Sequence, residues 1–160
     1  MPRRLNILVA AALLSGPLGA VWAADTAPPP AATTDKLAAA RAQIAQKNWA
    51  GALAELKNVN ATGDADWNNL MGYALRKNAT PDLAAAGKHY DEALRLNPQH
   101  RGALEYSGEL YLMTNELPKA EARLASLDRL CAVPCTEQIE LKKAVERYKA
   151  NGNKYVAEPW

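Results

Sequence analysis

Apolar residues between Asp35 and Tyr148 recur at intervals of three and four positions, with polar and charged residues between them. This spacing places the apolar side chains on one face of an α-helix. Ala and Leu, which are strong helix formers, dominate the composition, whereas Val and Ile are few and Phe is absent. The pattern therefore predicts an all-α chain whose helical domain covers residues 35–150.

Small residues recur in this domain at a regular interval. Ala52, Ala86 and Ala120 are evenly spaced, with a period of about 34 residues. Gly72 and Gly108, in the helices that precede Ala86 and Ala120, are separated by slightly more than this period. The excess of two fits an insertion in the turn of the middle unit. The sequence therefore divides into three units, each a helix, a turn and a second helix.

Three helix-turn-helix units of this length resemble tetratricopeptide repeats. The middle unit matches best, at the family's small, small, aromatic, small and proline positions, which are Gly72, Ala86, Tyr90, Ala93 and Pro98. The third unit carries Gly108, Tyr111, Ala120 and Leu124, and the degenerate first unit carries Ala40, Ala52 and Leu56. The resemblance implies a right-handed α-α superhelix of three helix pairs. It also implies that Gly72 faces Ala86 and that Gly108 faces Ala120.

A further helix over 137–149 is expected to cap the last repeat, because the ends of a stacked repeat array need covering. Its apolar stripe comprises Ile139, Leu141, Ala144, Val145 and Tyr148. Thr136 is a suitable N-cap residue. Residues 151–160 carry no helical period and are interpreted as a loose C-terminal tail.

The first 23 residues have the pattern of a cleavable bacterial signal peptide. Arg3 and Arg4 precede a short apolar run, and Val21-Trp22-Ala23 offers small residues for cleavage before Ala24. A membrane anchor is the alternative, although the run is short and interrupted. Residues 24–34 contain three consecutive prolines and form a predicted linker. The expected location is periplasmic or secreted, without stable membrane insertion after cleavage.

Charge argues against nucleic acid as a partner. The whole chain has 19 basic and 17 acidic residues. Cleavage of the leader removes Arg3 and Arg4 and no acid, which leaves a neutral mature protein. A neutral chain lacks the basic surface that nucleic-acid binding requires.

Cys131 and Cys135 are the two cysteines, and they flank the turn before the capping helix. In an oxidising compartment such a pair is typical of a structural disulfide. A zinc site would need further ligands, and covalent haem attachment would need a different spacing followed by His. A redox-active thiol pair stays open as a weaker alternative.

We find no motif of a known catalytic type, and the chain is expected to be neither an enzyme nor a carrier of a metal or cofactor. His89 is interpreted as a helix-face residue and His100 as a turn residue. Glu105 and Glu109 are four positions apart, which is more typical of a solvated helix face than of a catalytic pair.

The resemblance implies that the first helix of each unit lines a concave groove that binds a partner's peptide segment. The candidate binding residues are Arg41, Asn69, Tyr73, Arg76, Lys77, Glu105 and Glu109. This surface is basic in its middle and acidic toward its C-terminal side. The expected function is a protein-interaction scaffold, for which assistance in the assembly of an envelope complex is one suitable role. A thiol-active accessory factor and a self-associating structural module are the alternatives, and a homodimer is compatible with the scaffold and with the self-associating module.

Overall fold

The computed structural model describes residues 35–156, which form seven α-helices and contain no strand, so the all-α prediction is confirmed. The expected leader (1–23) and linker (24–34) and the last four residues of the tail lie outside the described residues. The helices are α1 (Ala38–Ala45), α2 (Trp49–Val59), α3 (Ala65–Lys77), α4 (Leu83–Leu96), α5 (Arg101–Met113), α6 (Leu117–Leu130) and α7 (Thr136–Ala150).

The starts of α2, α4 and α6 are evenly spaced along the chain. Their N-cap residues are Asn48, Asp82 and Glu116. The side chains of Asn48 and Asp82 each accept a hydrogen bond from the backbone N–H three positions later. Glu116 makes no such bond, and Pro118 lies in the first turn instead, where its missing N–H is harmless. Each second helix therefore begins at a local signal in the sequence.

The helices pack as neighbours in chain order. Each even-numbered helix packs on the helices before and after it, and the odd-numbered helices also contact one another: α1 with α3, α3 with α5, and α5 with α7. Within residues 35–156, α2, α4 and α6 make no comparable contacts with each other. The odd-numbered helices, which we call the odd-helix row, are thus closer together than the even-numbered ones.

The core repeats with the same period as the helix starts. Ala52, Ala86 and Ala120 are each 0 % exposed, on α2, α4 and α6. Small side chains at these positions allow close helix approach, and larger residues fill the space one turn later. Leu56 and Tyr90 are such residues, and both are completely buried.

Gly72 and Gly108 are helix-contact glycines, but their nearest partners differ from the alanines expected from the sequence. A Cβ at Gly72 would lie 2.7 Å from Cε1 of Tyr90, and a Cβ at Gly108 would lie 2.6 Å from Cδ2 of Leu141. Tyr90 is one turn beyond Ala86 on the same face of α4, so its large ring occupies the space opposite Gly72. Gly108 admits a side chain from α7, the helix of the next layer.

Helix α7 covers the end of the array through Leu141, Val145 and Tyr148, which are all buried. Ile139, which the sequence placed on the same stripe, is 39 % exposed. Two positions along an α-helix correspond to a rotation of about 200°, so Ile139 lies nearly opposite Leu141. Thr136 is the first helical residue rather than the N-cap.

The Cys131–Cys135 disulfide is present, and it joins the C-cap residue of α6 to the N-cap residue of α7. It closes the turn between the last repeat helix and the capping helix. Helix α7 packs on α5 and α6 beyond this turn.

Replacement of both cysteines by serine is expected to lower the free energy of unfolding by about 1–3 kcal/mol, because the open turn gives the unfolded chain more freedom. Urea denaturation of the parent in oxidising and reducing buffer, beside the double variant, measures this. The control is the double variant itself, whose stability should not respond to reductant. Loss of partner binding with unchanged stability would instead indicate functional thiols.

Candidate functional site

Arg76 is the centre of the candidate site, and its guanidinium is buried rather than free in a groove. Its side chain is 2 % exposed, and Nη2 lies 2.6 Å from Oε2 of Glu109 on α5 in an ion pair. Arg76 Nε also donates a hydrogen bond of 3.4 Å to the Tyr90 hydroxyl. Burial by itself would lower the pKa of Arg76, but Tyr90 and Glu109 outweigh it and the net shift is upward. Arg76 is therefore a permanently charged link between α3, α4 and α5.

Two aromatic rings lie beside the Arg76 guanidinium, and a third ring packs against one of them. The rings of Tyr73 and Tyr106 have centroids 4.5 Å apart, and the Arg76 guanidinium lies 5.6 Å from each. Trp49 meets Tyr73 edge-on at 5.6 Å. Tyr73 and Tyr106 are both half-buried. Together Trp49, Tyr73 and Tyr106 form what we call the aromatic row.

The sequence pattern identified Tyr73 but missed Trp49 and Tyr106 as members of this row. Tyr73 and Tyr106 are separated by nearly one repeat period, and that near-coincidence is the signal that could have found Tyr106. Trp49 starts an even-numbered helix, so an expectation confined to first helices could not include it.

Glu105, the second predicted acidic residue, is 9 % exposed and lies one turn before Glu109 on α5. Burial raises the pKa of its carboxyl to about 8, and the negative charges of Glu109, Glu137 and Glu140 add to this effect. Arg76 opposes the shift and only partly offsets it. Glu105 is therefore mostly protonated at neutral pH.

Glu105→Gln is expected to stabilise the protein at high pH and to change little at low pH. The folded pKa exceeds the unfolded value, so the folded state binds the extra proton and loses stability as pH rises from about 4.5 to about 8. The neutral amide escapes this loss, which we put at about 2–4 kcal/mol after allowing for residual solvent screening. Urea denaturation at acid and alkaline pH measures it. Glu92→Gln is the control, because Glu92 is an exposed carboxylate on α4. Its free energy of unfolding should equal that of the parent at both pH values.

The three remaining predicted residues are Lys77 and Asn69 of α3 and Arg41 of α1. Lys77 Nζ is 5.8 Å from the Tyr73 ring centroid. Asn69 is 7 % exposed and lies against Gly102, one turn before Glu105 on α5. Arg41 lies apart, on α1, where it is exposed and pairs with Asp66 at 2.8 Å. The structure thus brings Tyr73, Arg76, Lys77 and Glu109 together, with Glu105 one turn from Glu109 on α5, whereas Asn69 lies against Gly102 and Arg41 lies apart on α1.

Helix α7 contributes two acidic residues that the sequence pattern did not assign to the site. Glu137 and Glu140 are half-buried and act electrostatically on Glu105. Glu140 also forms an ion pair of 2.9 Å with Lys143. Their role escapes the sequence pattern because α7 has the signature of a cap, although it also extends the odd-helix row beyond α5.

Both histidines have structural roles. His100 is the N-cap of α5, where Nδ1 accepts from the backbone N–H of Ala103, so Nε2 carries the proton and donates to Asp66 at 2.9 Å. His89 hydrogen-bonds through Nδ1 to the Asn68 amide oxygen at 3.0 Å. Within residues 35–156, no three side chains of metal-ligating type come together.

Comparisons with protein-family models, with curated protein sequences and with solved structures returned no match. None of the helices described for residues 35–156 combines the length and apolar character that a membrane span requires.

Proposed function

We propose that this chain is an exported, non-catalytic scaffold of the tetratricopeptide-repeat type, which binds a partner protein's segment along its odd-helix row. The observation that carries the proposal is the aromatic row, which lies beside the buried ion pair between Arg76 of α3 and Glu109 of α5. Half-buried tyrosine and tryptophan rings offer apolar area at little entropic cost, which is why they are enriched where proteins bind proteins.

The packing of the helices supports a groove on this side. The odd-numbered helices contact one another while the even-numbered ones do not, so the array is tighter along the odd-helix row within residues 35–156. A stack that is tighter on one side curves toward it, as solenoid repeats do when they form concave binding surfaces. The even recurrence of Ala52, Ala86 and Ala120 in the core supports the repeat interpretation.

The disulfide supports export. Such bonds persist in oxidising compartments such as the periplasm and are rare in the cytosol. This agrees with the signal-peptide pattern expected of residues 1–23. We propose that the mature protein functions in the periplasm or outside the cell.

Site-specific photo-crosslinking in the producing cell tests the binding face. A benzophenone amino acid is placed at Tyr73, in the aromatic row, and as a control at Lys88, which is exposed on α4. We expect one protein partner to be crosslinked from Tyr73 and not from Lys88. Equal crosslinking from both positions, or a product that contains a second copy of this chain, would contradict the proposal and favour the self-associating alternative.

A further inference from the structure

The aromatic row carries three hydrogen-bond donors that have no acceptor in the part of the chain that the structure describes. They are the indole N–H of Trp49 and the hydroxyls of Tyr73 and Tyr106, none of which bonds to another residue within 35–156. Other tyrosine hydroxyls do have hydrogen-bond partners, namely those of Tyr90, Tyr111 and Tyr148. Buried tyrosine and tryptophan rings usually find a partner for their polar ends. The row is therefore a set of adjacent rings whose donors are available to a ligand.

The two tyrosine rings of the row are held in place by Arg76. Its guanidinium lies 5.6 Å from the centroid of each ring and is itself fixed by the ion pair with Glu109. The Arg76 side chain is 2 % exposed whereas both rings are half-buried, so the rings are supported from the interior of the protein. Side chains that are already ordered lose little conformational entropy when a ligand covers them. The row is thus a preformed surface.

The length of the row matches one turn of a polyproline II helix. The ring centroids of Trp49 and Tyr73 are 5.6 Å apart, and those of Tyr73 and Tyr106 are 4.5 Å apart. The two outer rings are therefore separated by at most about 10 Å. A polyproline II helix has three residues per turn and advances about 9 Å in that turn. A segment of the Pro-x-x-Pro type would place one proline against each outer ring.

A proline-rich segment also offers the hydrogen-bonding groups that suit the row. Proline has no backbone N–H, and the carbonyl groups of a polyproline II helix make no internal hydrogen bonds, so the segment presents mainly acceptors. An α-helical segment uses its carbonyl groups internally and would leave the donors of the row unpaired. An extended strand without proline brings one N–H for each carbonyl, and these would need acceptors in turn. The donors of the row therefore favour proline-rich sequence over the other two.

We infer that the aromatic row binds a proline-rich segment of the partner protein in the polyproline II conformation. The prolines lie against the rings of Trp49, Tyr73 and Tyr106, and carbonyl groups of the segment accept hydrogen bonds from the three donors. Aromatic-lined surfaces recognise this helix in other proteins because it is preformed and loses little entropy on binding. The inference names the class of partner for the proposed function and rests on that function.

Isothermal titration calorimetry of the purified protein with decaproline tests the inference, with a Gly-Ser peptide of equal length for comparison. We expect decaproline to bind the parent about tenfold or more tightly than the Gly-Ser peptide. Tyr73→Phe and Tyr106→Phe keep the rings and remove the donors, so each should weaken the binding of decaproline about fivefold. Tyr111→Phe is the matched control, because this hydroxyl bonds to Arg123 of α6 and lies outside the row. It should bind decaproline like the parent.

The outcomes separate this inference from the proposed function. If decaproline binds no more tightly than the Gly-Ser peptide while crosslinking from Tyr73 still captures a protein partner, the inference is wrong and the binding face stands. If decaproline does not bind and no partner is captured, both are wrong. Unchanged affinity in Tyr73→Phe and Tyr106→Phe, or an equal loss in Tyr111→Phe, would also overturn the inference. Thermal melting checks that each variant is folded, as expected where only a hydroxyl is removed.

Discussion

Glu109→Gln is expected to lower the free energy of unfolding by about 3–5 kcal/mol, because it leaves a buried guanidinium without its counter-charge. The Arg76 side chain is 2 % exposed, and the Tyr90 hydroxyl and two aromatic rings are poor substitutes for a carboxylate. Arg76→Met should cost less, about 2–3 kcal/mol, since the Glu109 side chain is 23 % exposed and water can hydrate the charge that remains. The order of the two losses follows from burial alone.

The double variant Arg76→Met, Glu109→Gln should be more stable than the sum of the single losses predicts, because no unpaired charge remains. Urea denaturation of the parent, both single variants and the double variant measures the coupling. Arg95 and Glu92 form an ion pair of the same 2.6 Å length on the surface of α4 and provide the matched control. The corresponding changes there should have no measurable effect. Equal losses at the two pairs would mean that the Arg76 pair is hydrated and does not support the fold.

The parts of the fold that the sequence predicted are those determined by local signals. The fully buried Ala86 and Ala120 follow from the periodic recurrence of small residues along the chain. These features depend on a few neighbouring residues, so a periodic pattern reveals them. The seven helices of residues 35–156 and the turn disulfide are of this kind.

The candidate site was predicted less completely, because its character depends on contacts between helices distant in sequence. Arg76 is charged and falls on a first helix, which suggested a free binding residue. Only the positions of Tyr90 and Glu109, on the next two helices, enclose it. Likewise, the environment of Glu105 depends on Glu137 and Glu140, in a helix that its own sequence marks as a cap. Composition and period carry no signal for such long-range burial.

The repeat period also does not predict which side chain packs against a helix-contact glycine, as Gly108 shows. The recurrence of glycine indicated a helix contact, but the side chain that fills the space is Leu141, from the next layer. Gly108→Ala is expected to cost about 1–3 kcal/mol by overpacking. The new Cβ would lie 2.6 Å from Cδ2 and 2.7 Å from Cδ1 of Leu141, so this completely buried side chain would have to shift or change rotamer within the core.

Leu141→Ala should itself cost about 2–5 kcal/mol, because it removes a completely buried side chain and leaves a cavity beside Gly108. The alanine of Gly108→Ala would then occupy part of that cavity, so the double variant should lose less stability than the two single variants together.

Gly87→Ala is the matched control: Gly87 lies inside α4, and the nearest atom to a Cβ there, Cδ2 of Leu110, is 4.0 Å away. Without a clash, the helix preference of alanine should stabilise this variant by about 0.5–1 kcal/mol. Thermal and urea denaturation of the four variants measure these effects. A Gly108→Ala variant as stable as Gly87→Ala would mean that α7 does not pack on α5 at this depth, and the end of the array would then need a different cover.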